Sequence, residues 1–433
     1  MNKPDFHTLL THCDFDYLPD GLERKYEQYK PDDRAWLIPR DFLGGLYDRY
    51  RLPERTRRLL TEGIEAIESD PSLFAFTKFL ADDMCTARIR CDEAFYTNMT
   101  PGCLKPYAEK YSFLLLLACV VPSMDSLKRR GVPESYYSEI PHQFLKVQFE
   151  KLGREDDFKV HDFPWVMNFY TCSIFLLDRF YFIPHRFHDE LSMYRSRFSG
   201  KTIALYHAGG SFRRDGQLDG VNGVRDAEGA FVTEWKEDAD RILANRINPM
   251  GFVEREPVSV EKSEWDAALR QGDMLLALHI PSGPGYTPDR LKSSMTLAVD
   301  FYRTYYPELR IRGFWSESWL YDPRLSLILG EAGSNIVSVQ RQFYNYPIAA
   351  GDAMLRYEAF GDRNADPSAI SPKTSLQKAA AAYMKSGGRF HTTSMVVLKE
   401  DIDRIGTMTY ITPEDAASFR ESVDSHLAGR PVQ

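Results

Sequence analysis

The residues able to do chemistry in this 433-residue chain gather between Met274 and Phe343. His279 ends an apolar run, Met274-Leu275-Leu276-Ala277-Leu278, that continues to Ile280 and stops at Pro281. A run without polar alternation reads as a central strand covered on both faces, so His279 falls at the sheet edge where side chains reach a crevice. An imidazole there either acts as a general base and orients a carbonyl, or serves as a structural hydrogen-bonding group. Farther on, Ile311, Gly313, Trp315, Glu317 and Trp319 share one face of a second strand. A carboxylate between two tryptophans has its pKa raised if buried, which suits a base taking a proton from an ammonium group. The competing reading is an ion pair with an arginine such as Arg341, which the alternation of Val337, Val339 and Phe343 turns inward. Between the two strands, Ser282-Gly283-Pro284-Gly285-Tyr286 bends sharply, and Thr287-Pro288 supplies an N-cap and a proline at the first helical position. Such a loop presents backbone N–H groups to an anion at a helix N-terminus, although Pro281, Pro284 and Pro288 each remove a donor. The plain alternative is an ordinary strand-to-helix turn.

The elements that must hold these residues are strand, loop, helix, strand, short helix and strand. Leu291, Met295, Ala298, Tyr302 and Tyr305 form the apolar stripe of the first helix. Asp322-Pro323 reads as a cap and first helical residue, with Gly330 ending that helix, which makes Asp322 structural. A strand near Ala353 to Phe360, a helix from about Thr374 to Lys385 and a final strand around Ser394 to Leu398 complete this half, and Thr374-Ser375-Leu376-Gln377 fits a capping box. From Asp41 to roughly Arg195 the pattern is helical. Leu59, Ile64 and Ile67, then Leu73, Phe76, Phe79 and Leu80, recur at helical spacing, and Lys110 to Val121, Tyr136 to Leu152 and Pro164 to Phe182 predict further helices. Around Gly200 short β-prone runs begin, at Thr202 to Ala208, Phe231 to Trp235 and Phe252 to Val260. Two domains follow, a mainly helical one over 1–199 and a mixed-sheet α/β one over 200–433.

A net charge of −8 argues against a nucleic-acid or anionic-membrane binder, since both need a basic footprint. The opening Met1-Asn2-Lys3-Pro4-Asp5 leads into no apolar run, so no signal peptide is read, and Phe113 to Val121 is too short to span a bilayer. Six cysteines without Cys-x-x-Cys spacing read as reduced thiols of a cytoplasmic protein. His185-x-x-His188-Asp189 has metal-like letters but reads as a solvated helix face, so no metal is expected. No Gly-x-Ser-x-Gly elbow, Walker loop or dinucleotide fingerprint occurs.

His279-Ile280-Pro281, Ser316 to Leu325 (SESWLYDPRL) and Ser334-Asn335-Ile336 leading to Gln340-Arg341-Gln342-Phe343 resemble the signature of bacterial acyltransferase domain-containing proteins. Leu176 to Phe182 (LLDRFYF) and Ser371 to Arg389 resemble two further segments of that family. Its members join a helical N-acyltransferase N-terminal domain to a GNAT-like C-terminal domain. The resemblance implies transfer of an acyl group from acyl-CoA, acetyl or longer, to an amine of a small molecule or peptide. It implies that Leu278, Ile280, Ser282, Gly283, Gly285, Tyr286 and Thr287 hold the coenzyme, that Glu317 or His279 takes the amine proton, and that Tyr321 protonates the departing thiolate. The loop departs from the usual Gln/Arg-x-x-Gly-x-Gly/Ala pattern of that superfamily. This leaves a rival expectation, a non-catalytic binding protein that keeps the fold without a working coenzyme loop.

Overall fold

Apolar residues at helical spacing build the first half of the chain and runs of β-branched and aromatic residues the second, as a computed structural model describes for residues 4–31, 34–91, 95–155, 157–330 and 333–428. Met1, Asn2 and Lys3, part of the N-terminal reading, lie outside the described residues. The chain divides into two compact units, Met1–Leu176 and Leu177–Gln433. The sequence changes character near Gly200, but the second unit already holds strands Phe180–Arg186 and Leu191–Ser196.

Unit 1 is helical. Its core helix, Tyr111–Arg129, buries every residue from Phe113 to Val120 at 2% exposure or less, which explains its apolar composition without a membrane. The segment Ala108–Arg129 is long and apolar enough to cross a bilayer, but 67% of its apolar window is buried within the fold. Leu60, Ile64 and Ile67 line the buried side of helix Glu54–Ser69, with Leu60 in the place expected for Leu59. Asp70 and Pro71 start the next helix, Pro71–Arg90, the Asp70 side chain accepting from the N–H groups of Ser72 and Leu73.

Unit 2 contains two large sheets and a two-stranded one, Ser211–Phe212 with Phe231–Val232. The first runs in the order Phe180–Arg186, Met274–His279, Ile311–Ser318, Thr393–Leu398, Tyr344–Pro347. Met274–His279 is central and pairs in parallel with Ile311–Ser318, whereas the other pairings in this order are antiparallel, so the sheet is mixed as expected. The second sheet orders Trp265–Leu269, Leu191–Ser196, Thr202–Tyr206, Arg241–Asn248 and Trp235–Glu237, with Phe252–Glu261 also paired to Arg241–Asn248. The sheets pack face to face through Leu191, Met193, Ala204 and Ile247 on one side and Leu275, Tyr344, Tyr346, Val396 and Leu398 on the other. Helix Pro288–Tyr305 covers the opposite face of the first sheet with Leu291, Met295, Ala298 and Tyr302, and the Tyr302 hydroxyl donates to the Phe182 carbonyl at 3.3 Å.

Four expected elements differ. The helix read over Pro164 to Phe182 ends at Tyr170, because Cys172 takes a left-handed conformation (φ 46°) and the chain turns into strands. The helix read from Tyr136 begins at His142, since Pro141 has no N–H for an interior turn. Ala353–Phe360 is a helix rather than a strand. Its good helix formers are joined by the Asp352–Arg356 pair at 2.8 Å, and Gly361 (φ 84°) ends it. The alternation through Val337 and Val339 belongs to helix Asn335–Gln340, capped by Ser334, so Arg341 is a helix C-cap and not a strand residue. The capping box at Thr374 and Gln377 is present as read.

Asp322 is fully buried, and its role is larger than a cap. Oδ1 accepts from the Arg324 N–H at 3.0 Å and from Arg324 Nη1 at 3.2 Å, while Oδ2 accepts from the His391 N–H at 2.7 Å. The helix it precedes starts at Leu325 rather than Pro323. Burial raises its pKa, opposed by Arg324 and by the two backbone N–H groups. Removing one partner of such a pair strands a charge on Arg324, itself 6% exposed. Asp322→Ala is therefore expected to cost roughly 3 to 5 kcal/mol in urea unfolding, more than the ~0.5 to 2 of a lost cap. Asp322→Ala/Arg324→Met should recover part of that loss, and an additive double variant would show that the two side chains act separately.

Candidate functional site

The parallel pair at the centre of the first sheet does not pair along its whole length. Its register runs from Met274 opposite Ile311 to Ala277 opposite Trp315 and then stops, although both strands continue, to His279 and Ser318. Past the last pair, the Ser316 hydroxyl donates to the Leu278 carbonyl at 2.7 Å, and the Tyr321 hydroxyl donates to Ser316 at 2.9 Å. The ladder thus ends before the strands do, and the Ser316 hydroxyl, itself held by Tyr321, takes up the Leu278 carbonyl.

The loop after His279 is shaped by a residue that sequence reasoning did not single out. Arg179, in the turn before strand Phe180–Arg186, donates Nε to the Pro284 carbonyl at 2.7 Å and Nη2 to those of Pro281 and Gly283 at 2.8 and 2.9 Å. In a trans peptide the C=O and N–H point in opposite directions. The Ser282 and Gly285 N–H groups, whose peptides carry the Pro281 and Pro284 carbonyls, therefore face away from the arginine. Gly283 (φ 116°) and Gly285 (φ 90°) occupy backbone conformations that residues with a Cβ rarely adopt, which explains the Gly-Pro-Gly spacing. The turn is also tied to the helix. Asp178 pairs with Arg290 at 2.8 Å and accepts from Ser294 at 3.3 Å, and Ser294 in turn accepts from the Arg179 N–H at 3.0 Å. Thr287 caps the helix as read, its hydroxyl accepting from the Arg290 N–H at 3.4 Å.

The expected site residues fall into two groups. Leu278, Ser316 and Phe314 lie on the helix-covered face, and the Tyr321 hydroxyl reaches that face through Ser316. Tyr286 packs edge-on to Phe180, and its hydroxyl is buried without a hydrogen-bond partner among the described residues. Burial raises the pKa of both tyrosines, and the neighbouring Tyr321 raises that of Tyr286 further, so both hydroxyls stay protonated at neutral pH. Glu317 and His279 share the other face with Ala277 and Trp315, and that face also carries Ser394 and Tyr346 opposite Glu317. Trp319, expected on this face, lies instead in the short 3-10 turn Trp319–Tyr321. Among the described residues Glu317 has no ion-pair partner, and Arg341 is not one; the Arg341 guanidinium lies against the Met250 sulfur. Glu317 reaches solvent yet stands among protein atoms. Desolvation raises its pKa, the neighbouring Asp189 raises it further, and His188 opposes.

His185-x-x-His188-Asp189 is not a helix face. His185 lies in strand Phe180–Arg186 and stacks on Trp315 at 4.2 Å between ring centres, and Asp189 accepts from Trp315 Nε1 at 2.9 Å and from the Tyr346 hydroxyl. These groups fix Trp315, the neighbour of Glu317 two positions back on the same strand face. The signal for them was the metal-like spacing itself, read with the wrong secondary structure.

The arrangement offers N–H donors at a helix N-terminus, parallel strands whose pairing stops short of their ends beside two protonated hydroxyls, and a carboxylate with a raised pKa on the other face. A search of the curated proteins found no match. Among solved structures, the chain is similar at 16% identity and a TM-score of 0.52 to an acyltransferase in complex with CoA and 10C-teicoplanin. It is similar at 16% identity and a TM-score of 0.51 to an acyltransferase mutant in complex with octanoyl-CoA. Each comparison covers 91% of this chain and 99% of the other. The family model of the N-acyltransferase N-terminal domain matches residues 41–172, and that of the GNAT-like C-terminal domain matches 146–397, more than half of the chain. The chain belongs to the family of acyltransferases that join this N-terminal domain to a GNAT-like C-terminal domain.

Proposed function

We propose that the protein transfers an acyl group from acyl-CoA to an amine of a small molecule or peptide. The observation that carries this is a parallel ladder that ends before its strands do, beside a capped helix, with a loop whose Ser282 and Gly285 N–H groups Arg179 turns outward. A pyrophosphate would rest on those groups and on the first turn of helix Pro288–Tyr305. Leu278, Ile280, Gly283, Tyr286 and Thr287 complete the cradle, and the thioester would lie where the ladder ends, past Ala277 and Trp315. The prolines fit this reading, since Pro281 and Pro284 contribute carbonyls to Arg179 rather than donors to the ligand. Fold relatives that hold octanoyl-CoA in one case, and CoA with 10C-teicoplanin in the other, support the donor class and an acceptor of the small-molecule or peptide class. Six cysteines without a disulfide support a cytoplasmic setting.

In the transfer, the amine nitrogen attacks the thioester carbonyl, its proton passes to Glu317 or His279, and the carbon–sulfur bond breaks to release the CoA thiolate. A hydroxyl held protonated by burial, as that of Tyr321 is, suits the donor of a proton to that thiolate. A base with a raised pKa suits an ammonium acceptor, because it holds a captured proton more firmly at neutral pH.

Acyl-CoA at 100 times its Kd is expected to stabilise the fold by about 2.7 kcal/mol, read as an upward shift in Tm; no shift at millimolar CoA or acyl-CoA would leave the binding-protein rival standing. Arg179→Ala should weaken CoA binding roughly tenfold by freeing three carbonyls and the loop they order, measured by calorimetry. Unchanged affinity would mean the loop does not touch the coenzyme. Glu317→Gln should lower turnover roughly 10²- to 10⁴-fold with acyl-CoA affinity kept. The folded chain holds the Glu317 proton to higher pH than the unfolded chain, so ionised Glu317 opposes folding once pH exceeds its ordinary value of 4.5. Glu317→Gln should therefore be the more stable protein at pH 8 and lose that advantage below pH about 4. Normal turnover together with lower stability at pH 8 would make Glu317 structural, and His279→Ala then tests the other base.

A further inference from the structure

Three chemically different metal-ligand atoms meet within unit 1. His12, near the end of helix Phe6–Cys13, sets Nε2 2.6 Å from Oδ2 of Asp70. The other Asp70 oxygen is already engaged, accepting from the N–H groups of Ser72 and Leu73 at 3.0 Å each, so Oδ2 is the atom presented to His12. Cys103, in the turn Gly102–Leu104, brings its sulfur to the same place, and one donor atom from each of the three residues lies within 4.8 Å of the other two. The buried thiol of Cys13 lies beside Cys103.

The position of Cys103 is set before any ion arrives. The Gly102 N–H donates to the Asp14 carbonyl at 2.8 Å, Phe15 bridges Pro101, and a Cβ at Gly102 would lie 2.6 Å from Asp14 Oδ2. The turn therefore docks closely against the chain that follows His12. Around tetrahedral Zn²⁺, with bonds of about 2.3 Å to sulfur and 2.0 to 2.2 Å to nitrogen and oxygen, ligand atoms stand roughly 3.3 to 3.8 Å apart. The His12–Asp70 pair at 2.6 Å is closer than that and all three atoms lie within 4.8 Å, so small side-chain rotations would bring the cluster into register. One thiolate, one imidazole and one carboxylate suit zinc rather than magnesium or calcium, which take oxygen ligands.

We propose that His12, Asp70 and Cys103 form a Zn²⁺ site, with water in the fourth position and the Cys13 thiol behind Cys103. The exposure of His12 and Cys103 gives the ion its route and its water. The site joins three segments distant in sequence, the first helix, the start of helix Pro71–Arg90 and the Gly102 turn. It does not depend on the acyl-CoA reading.

The test is a Co²⁺ titration of the reduced, chelator-stripped full chain. The proposal predicts one Co²⁺ per chain, a thiolate-to-metal charge-transfer band in the near ultraviolet, displacement by Zn²⁺ and a higher Tm with Zn²⁺. Cys103→Ser should abolish the band, and His12→Ala should weaken binding by more than about tenfold, since loss of an outer partner alone costs that much. Both side chains are exposed, so both variants should keep the wild-type circular dichroism. Absence of the band, or a band undiminished in Cys103→Ser, would overturn the proposal. So would formation of a Cys13–Cys103 disulfide on air oxidation in a chain that binds no Co²⁺ when reduced.

Discussion

Three carbonyls of one short loop converge on the Arg179 guanidinium, and the planarity of the peptide bond turns the Ser282 and Gly285 N–H groups to the other side, where the proposed anion cradle lies. Without the arginine, a loop with three prolines in eight residues would have too few donors and no reason to aim them. With it, the carbonyls of Pro281, Gly283 and Pro284 are satisfied, and the Ser282 and Gly285 N–H groups are free to face a ligand. The constraint reaches into the helix, because Asp178, beside Arg179, holds Arg290 and Ser294. The loop and the helix N-terminus are thereby one unit, the arrangement that favours negative charge at a helix start.

The sheet supplies the second half of the proposed site through what it leaves unpaired. A parallel ladder that ends at Ala277 and Trp315 exposes backbone polar groups in a buried place, a cost that Ser316 and Tyr321 offset for the Leu278 carbonyl. The Tyr286 hydroxyl is left with no partner among the described residues, which makes it available to a polar group entering between the strands. On the opposite face, Asp189 and His185 hold Trp315 in place, and the same Asp189 raises the pKa of Glu317. One carboxylate thus orders the wall and tunes its neighbour.

Much of this was legible in the sequence because it rests on short-range rules. The uninterrupted run from Met274, the Thr287-Pro288 cap and the capping box at Thr374 each depend on residues within a few positions of one another, and each is present. Arg179 was not legible, because its partners lie 102 to 105 residues away and nothing local marks a guanidinium that will meet carbonyls. Asp322 was read as a cap from its proline neighbour, but its bond to the His391 N–H spans 69 residues. Ala353–Phe360 and Asn335–Gln340 were misread because alternation over a few residues fits a strand or a helix face equally, and the Asp352–Arg356 pair and the Ser334 cap decided them. The histidines at 185 and 188 drew notice for their spacing, and their stacking partner Trp315 is 130 residues beyond His185 in sequence.

The central claim, that the Arg179-ordered loop is where acyl-CoA is held, is tested most directly by hydrogen–deuterium exchange with and without octanoyl-CoA. The account predicts slowed exchange in the peptide covering 281–291, where the Ser282 and Gly285 amides would be covered, and loss of that protection in Arg179→Ala. Protection confined to other segments, with 281–291 exchanging at the ligand-free rate in a chain saturated with octanoyl-CoA, would contradict it.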